Sequence, residues 1–336
     1  MPTEPVRHIT GVASDAVSGF YRFTIPIRAL IEQGAATGNV SIGLAHVPQV
    51  PPGAPLLLQG ALTLPAAVAS AAKKNNCRLI RDFDELPWSL PDDDPNASAI
   101  SPAPRTRFGR LIACADAVTV STEPLARAMR ERGCDPIVLP SVVDIRDWTL
   151  QPRRTERQRA RIGWYGPRAS HTGDSTLTEH VVRALIDEMD FIFLGKVPAA
   201  LTDIAERVEY YLPVPLALFP TLLAALDLDM VLMPLAQNAF NECSSNVPLL
   251  QVGMLGYPVI ATDIEPHRTL PVTRLPNTPH AWVSAIRNRW EHPAALRREG
   301  EELRLAVHAK FLAQTWTSRY LELWTATGKS TLSARA

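Results

Sequence analysis

Cysteine is scarce in this chain. Four occur in 336 residues, at Cys77, Cys114, Cys134 and Cys243. No two have the spacing of a metal-ligand pair or a redox motif, so they are expected as reduced and mostly buried thiols, as in a cytoplasmic protein. Glycine is also sparse, at 17 residues. Neither G-x-G-x-x-G nor G-x-x-x-x-G-K-[ST] occurs, which sets aside ordinary dinucleotide and P-loop binding. Neither sign of charge is in excess: Lys and Arg total 34, as do Asp and Glu. A nucleic-acid partner, which needs a basic stripe, is not expected. Long apolar runs are missing too. The best candidate, LFPTLLAALDLDMVLMPLA, is broken by Asp227 and Asp229, whereas a membrane span needs about 20 apolar residues. No transmembrane segment is expected, which leaves peripheral membrane contact open. The opening residues MPTEPVRHIT lack the apolar core of a signal peptide.

What is present describes a folded α/β protein. Apolar residues make up 46% and charged residues 20%, enough apolar material for real cores and too much for a disordered chain. The 30 prolines are scattered as loop punctuation. Short apolar runs alternate with helical patterns. Strands are expected at 40–47, 55–60, 77–83, 117–121 and 136–140, with helices near 20–33, 65–75, 104–114 and 122–132. The rhythm breaks between Val142 and Arg161, where QPRRTERQRAR reads as a linker. It resumes with strands at 161–166, 191–195, 208–212, 230–235 and 258–262, and helices near 175–188, 216–226, 247–255, 279–291 and 294–313. Alternation of this kind predicts two doubly wound Rossmann-like domains, each a parallel sheet with helices on both faces. The division expected is 1–150, 151–312 and a last helix at 313–330. On that helix Trp316, Tyr320 and Trp324 fall four apart on one face, a buried core stripe. Ligands of such domains bind at the carboxyl ends of the strands, facing the cleft between them.

Four blocks offer chemistry at those ends. In FNECSSNVPLLQVGMLGYPVIATD, Ser244, Ser245 and Asn246 stand where a helix should begin. They suit an N-cap, and Pro248 suits the first turn. A helix N-terminus presents free N–H groups to a phosphate, although a plain cap is the commoner use. In IGWYGPRASHTGDSTLTEH a loop holds Arg168, His171 and Thr172. The Arg168 guanidinium can fork onto a diphosphate and His171 can donate beside it. A surface loop capped by Asp174 is the alternative. In CRLIRDFDELPWSLPDDDP a strand delivers Asp82, Asp84 and Glu85 to its carboxyl end. Carboxylates there can act as a base, orient a sugar hydroxyl or bind a cation. The other possibility is a solvated capping loop, which describes Asp92, Asp93 and Asp94 well. In ASDAVSGFYRFTIPIRAL, Ser18 and Gly19 read as a short loop before an amphipathic helix opened by Tyr21 and Arg22.

Taken together, these blocks resemble the two-domain GT-B glycosyltransferases, specifically the retaining family 4 type. GFYRFTIPIRAL resembles an opening G-x-Y-R-x-x-x-P-L-x-x-L. DFDELPW resembles D-x-D-D-x-x-W. ADAVTVSTEPLARAMRERG followed by PIVLPSVVDIRDW resembles the last unit of the first domain. HTGD after IGWYG resembles the donor-side loop, and FNECSSNVPLLQVGMLGYPVIATD resembles F-N-x-x-K-S-N-x-K-x-L-E-x-x-A-L-G-x-P-V-x-A-S. The matches run from about residue 11 to about 268. The chain departs from the pattern at particular positions. Where the family carries two acidic residues eight apart, this chain has Cys243 and Gln251, with Glu242 displaced by one. The two lysines become Ser244 and Pro248. Asp82 to Glu85 occupy the region where many relatives place a histidine.

The resemblance implies two facing domains with a C-terminal helix crossing back to the first. It implies transfer of a sugar, with retention, from a nucleoside-diphosphate sugar to an unknown acceptor, with neither cofactor nor metal. Arg168, with Asp82 or Asp84, would carry the chemistry. Gly19, His171, Thr172, Asn241, Glu242, Ser244, Ser245, Asn246 and Gln251 would bind the donor, with the Gln251 amide on the ribose. The departures suggest an alternative, a catalytically silent glycosyltransferase-like protein that binds a sugar nucleotide or serves as a partner subunit. A nucleotide-sugar epimerase is a third option.

Overall fold

The computed structural model describes residues 7–43, 50–60, 62, 66–88, 104–165, 172–195 and 197–326. It contains two parallel six-stranded sheets. The first is built from β1 (Arg7–Ala13), β2 (Ala36–Ile42), β3 (Pro55–Gln59), β4 (Arg78–Phe83), β5 (Ala117–Val120) and β6 (Ile137–Val138). The second uses β7 (Arg161–Tyr165), β8 (Asp190–Leu194), β9 (Glu209–Tyr211), β10 (Met230–Met233), β11 (Val259–Thr262) and β12 (Thr273–Leu275). Their spatial orders are β2-β1-β3-β4-β5-β6 and β12-β11-β10-β7-β8-β9. Each sheet is therefore wound outward from a switch point, between β1 and β3 in the first and between β7 and β10 in the second. The expected pair of doubly wound domains is what forms.

Sequence dictates the strands through burial. Every residue of β3, β5, β10 and β11 is buried, the condition of a sheet covered on both faces. The expected strand at 40–47 lies instead at Ala36–Ile42 among the described residues, and 44–49 fall outside them. β1 and β12 had no counterpart in the sequence reading. β12 is short and only partly buried, so it carries little apolar signal. The short loop expected at Ser18 and Gly19 is helical. Asp15 caps a helix Ala16–Gly19 by accepting from the N–H groups of Val17 and Ser18. The chain then runs through a π-helical turn at Phe20–Thr24 into the helix Ile25–Glu32.

The charged stretch after Val142 is a connector that clasps the second domain. The N–H groups of Arg154 and Thr155 donate to the Asp227 carboxylate, and so does the Arg157 side chain. The helix Pro293–Phe311 packs beside the helix Val247–Met254. After it, Leu312 forms an isolated bridge to Val143 of the first domain. The last helix, Ala313–Thr325, lies against Ile25–Glu32, so the chain does cross back. Tyr320 and Trp324 are buried there, as expected of the stripe, and Trp324 meets Phe23 edge-on. Trp316, partly buried, packs on the same cluster. Of the cysteines, Cys134 and Cys243 are buried, Cys77 half-buried and Cys114 exposed, and all four are free. No helix among the described residues is long and apolar enough to cross a membrane.

Candidate functional site

The two domains meet through residues that follow the carboxyl ends of strands in both sheets. Thr122, just after β5, donates to the Cys243 carbonyl, beyond β10, at 3.3 Å. Ser141, after β6, shares a 3.2 Å hydroxyl bond with Ser245. Arg127 pairs with Glu265, after β11, at 3.6 Å. Phe240 and Cys243 sit in an apolar cluster with Leu125, Ala126 and Met129 of the first domain. The two domains thus touch where the topology puts their strand ends.

On the first-domain side, Asp82 ends β4 as a buried carboxylate. Arg22 grips it with two N–H donors, Nε at 2.9 Å and Nη2 at 2.5 Å, and Thr119 donates from 2.6 Å. A third Arg22 donor binds the Leu139 carbonyl. Burial pulls the guanidinium down, but Asp82 outweighs it and holds the proton more firmly than usual. Both Asp82 oxygens are therefore occupied. This geometry makes Asp82 an anchor for the π-helical turn. Asp84, one residue past β4 and half-buried, is different. Burial pushes its carboxyl above the ordinary aspartate range and Asp82 adds to the push, while a bond with Ser18 and the Arg22 charge oppose it. A carboxyl poised in that way can accept a proton from an alcohol. Gly19 lies behind it, against β1: a Cβ there would stand 2.2 Å from that of Ala13.

On the second-domain side, much of the expected donor block is engaged in holding its own loop. Asn241 is buried, and its Nδ2 donates to the Ala236 carbonyl at 2.7 Å. Glu242 accepts the Glu265 N–H at 2.9 Å. Ser244 donates to the Phe240 carbonyl at 3.0 Å. Asn246 precedes the helix Val247–Met254, but its side chain donates to Thr269 at 3.1 Å and makes no cap bond. Ser245 accepts the Val247 N–H instead, at 3.4 Å. Pro248 removes one first-turn N–H, so this helix end is a poorer anion cradle than Ser244, Ser245 and Asn246 suggested. Arg168 and His171 lie outside the described residues. Thr172 opens the helix Thr172–Leu185 after β7, and this helix also directs its N-terminus along the strand ends.

Gln251 was expected on a ribose. It is 2% exposed and its amide is shared between two tyrosines. Its Nε2 donates to the Tyr21 hydroxyl at 2.7 Å, and Tyr165 donates to its Oε1. Sequence reasoning missed Tyr165 and the partner role of Tyr21. The residue types were visible in IGWYG and GFYRF, but nothing local pointed either ring toward residue 251.

No protein-family model matches the chain, and no curated protein does. Solved structures are similar over nearly the whole length. Sucrose-phosphate synthase from Thermosynechococcus elongatus aligns with a TM-score of 0.68 at 12% identity, covering 96% of this chain and 100% of that one. A glycosyltransferase from Rickettsia africae aligns at 0.67 and 12%, covering 95% and 98%. HepE of Anabaena, solved with UDP and glucose, aligns at 0.62 and 13%, covering 96% and 100%. At such identities the likeness establishes the fold: two facing Rossmann-like domains in the GT-B arrangement.

Proposed function

We propose that this protein is a glycosyltransferase that moves a sugar, with retention at the anomeric carbon, from a nucleoside-diphosphate sugar to an acceptor held by the first domain. One observation carries the reading. Two doubly wound sheets turn their carboxyl ends toward each other, and the half-buried carboxyl of Asp84, just past β4, meets Ser18 of the helix that follows β1. The likeness to HepE, solved with UDP and glucose, makes UDP-sugars the first donors to consider. Retention rests on the sequence resemblance to family 4 enzymes.

In this reading Arg168 and His171, with the N-terminal turn at Thr172, face the departing diphosphate. Fixed positive groups where charge develops are usually the largest catalytic contribution. Asp84 orients the acceptor hydroxyl or takes its proton, and Asp82 acts only by holding Arg22 and the π-helical turn that follows the helix carrying Ser18. A ribose hydroxyl reaching Gln251 would share or replace the bond from Tyr165. Cytoplasmic location stays part of the proposal.

A thermal-shift panel of UDP-, GDP- and dTDP-sugars tests it, followed by product analysis with the best donor. A ligand at 100 times its dissociation constant adds about 2.7 kcal/mol of stability, so at least one sugar nucleotide and its diphosphate should raise the melting temperature. No shift with any of them at millimolar concentration overturns donor binding. A shift without release or transfer of the sugar overturns the enzymatic reading and leaves a sugar-nucleotide binder.

A further inference from the structure

We propose that Gln251, Tyr21 and Tyr165 form a positioning latch, a buried hydrogen-bond chain that holds the two domains in the register at which their half-sites meet. It deepens the glycosyltransferase reading, since it concerns the same cleft. Its geometry stands apart from any donor.

The chain crosses the domain boundary once, at the bond from Gln251 to Tyr21, and ties that crossing to β7 through Tyr165. Tyr165 is the last residue of β7, at the second sheet's switch, and Tyr21 lies in the turn that follows β1, at the first. Gln251 sits on the helix Val247–Met254 between them. An amide has one accepting and one donating end, and a tyrosine hydroxyl satisfies either. Whichever way the amide is turned, it bonds both rings. The surroundings are dry and aromatic: Phe20 meets Tyr21 edge-on at 5.3 Å and Phe219 meets Tyr165 at 5.9 Å. Burial raises the pKa of both phenols, so the chain stays neutral across the physiological range.

The chain also continues toward the chemistry on either side. Tyr165 directly precedes the segment that carries Arg168 and His171. Tyr21 directly precedes Arg22, whose guanidinium fixes Asp82, two residues from Asp84. A shift at Gln251 is therefore felt at Arg22 and Asp82 in the first domain. In an opened form water would satisfy the three polar groups. In the closed form they have one another, and an unpaired member is penalised only there. Removing one hydroxyl should shift the closed-to-open ratio about 5- to 150-fold, the equivalent of about 1–3 kcal/mol.

The test measures the distance between a fluorophore pair on non-natural side chains at Lys74 and Glu206, in the full chain without nucleotide. The wild type should give one narrow distribution. Tyr21→Phe, which keeps the ring, and Gln251→Leu should both broaden it toward longer distances. With an active donor, Tyr21→Phe should lower kcat about 5- to 150-fold while the donor KM changes little. Wild-type distances in both Tyr21→Phe and Gln251→Leu overturn the latch. Should Gln251→Leu fail to fold, Tyr21→Phe decides by itself. Because no nucleotide is present in the distance measurement, failure of sugar transfer leaves its outcome intact.

Discussion

Asp82 and Asp84 show how far two identical residues two positions apart can diverge. Both follow the same face of the β4 path, yet only the first is claimed by a guanidinium. Asp82→Asn leaves Arg22 a buried cation with half its partner, and breaking a buried pair costs about 3–5 kcal/mol. That variant should lose stability before it loses chemistry. Asp84→Asn should do the reverse. If Asp84 receives the acceptor proton, its loss should cut kcat by about 10²- to 10⁴-fold with the melting temperature near wild type. The group must be ionised to act, and burial raises its pKa, so it ionises only at higher pH than an ordinary aspartate. The acidic limb of the wild-type rate profile should therefore lie above the ordinary aspartate range. Steady-state kinetics from pH 4 to 8 on both variants checks this, and a wild-type rate for Asp84→Asn would remove Asp84 from the mechanism.

Among the elements, the helix Ala16–Gly19 depends on one small residue. Its last position touches β1 so closely that an added methyl would overlap the Ala13 side chain at 2.2 Å. Gly19→Ala must push the helix off the sheet, carrying Ser18 away from Asp84. The expected loss is about 1–3 kcal/mol of stability, the usual cost of overpacking. Gly109 is the matched control. It lies inside the helix Pro104–Ala113 with no heavy atom within 4 Å of an added Cβ. There alanine should be neutral or add up to about 1 kcal/mol through helix propensity. Urea unfolding of the two variants should move in opposite directions, and equal destabilisation would show that the contact at Ala13 is not what matters.

At the scale of the whole molecule, the second domain's edge of the junction contains a histidine kept neutral. His267 is buried, bonds the Thr262 carbonyl through Nδ1 at 2.7 Å, and has its ionisation pushed down to about 4, chiefly by burial. Arg274 adds to that shift, while the Thr262 carbonyl and Asp263 oppose it. A depressed histidine binds its proton more readily in the unfolded chain. Its contribution to stability is therefore complete above about pH 6.5 and falls away as the pH drops toward 4, by up to about 3 kcal/mol. Unfolding free energies at pH 7, 5.5 and 4.5 should decline more steeply for wild type than for His267→Gln. Parallel declines would mean that other groups set the acid sensitivity. The short segment Glu265–Thr269 also carries Glu265, which pairs with Arg127 of the first domain, and Thr269, which receives Asn246. Acid loosening there should reach the domain contact as well.

The sequence by itself determined the architecture. Continuous apolar strands, amphipathic helices and a charged break at the middle dictate two parallel sheets covered on both faces, because burial is written locally as residue type and period. It also put Asp84, Gly19 and Gln251 near the strand ends, where doubly wound folds meet their ligands. Only the tertiary structure decided what those residues do. Whether a carboxylate is free depends on a partner far away in the chain: Arg22 reaches Asp82 across 60 positions. Gln251 lies 86 positions from Tyr165 and 230 from Tyr21. Such pairings are fixed by how two finished sheets pack. Local propensity contains no record of them, so the bond from Gln251 to Tyr21 that joins the domains exists only in three dimensions.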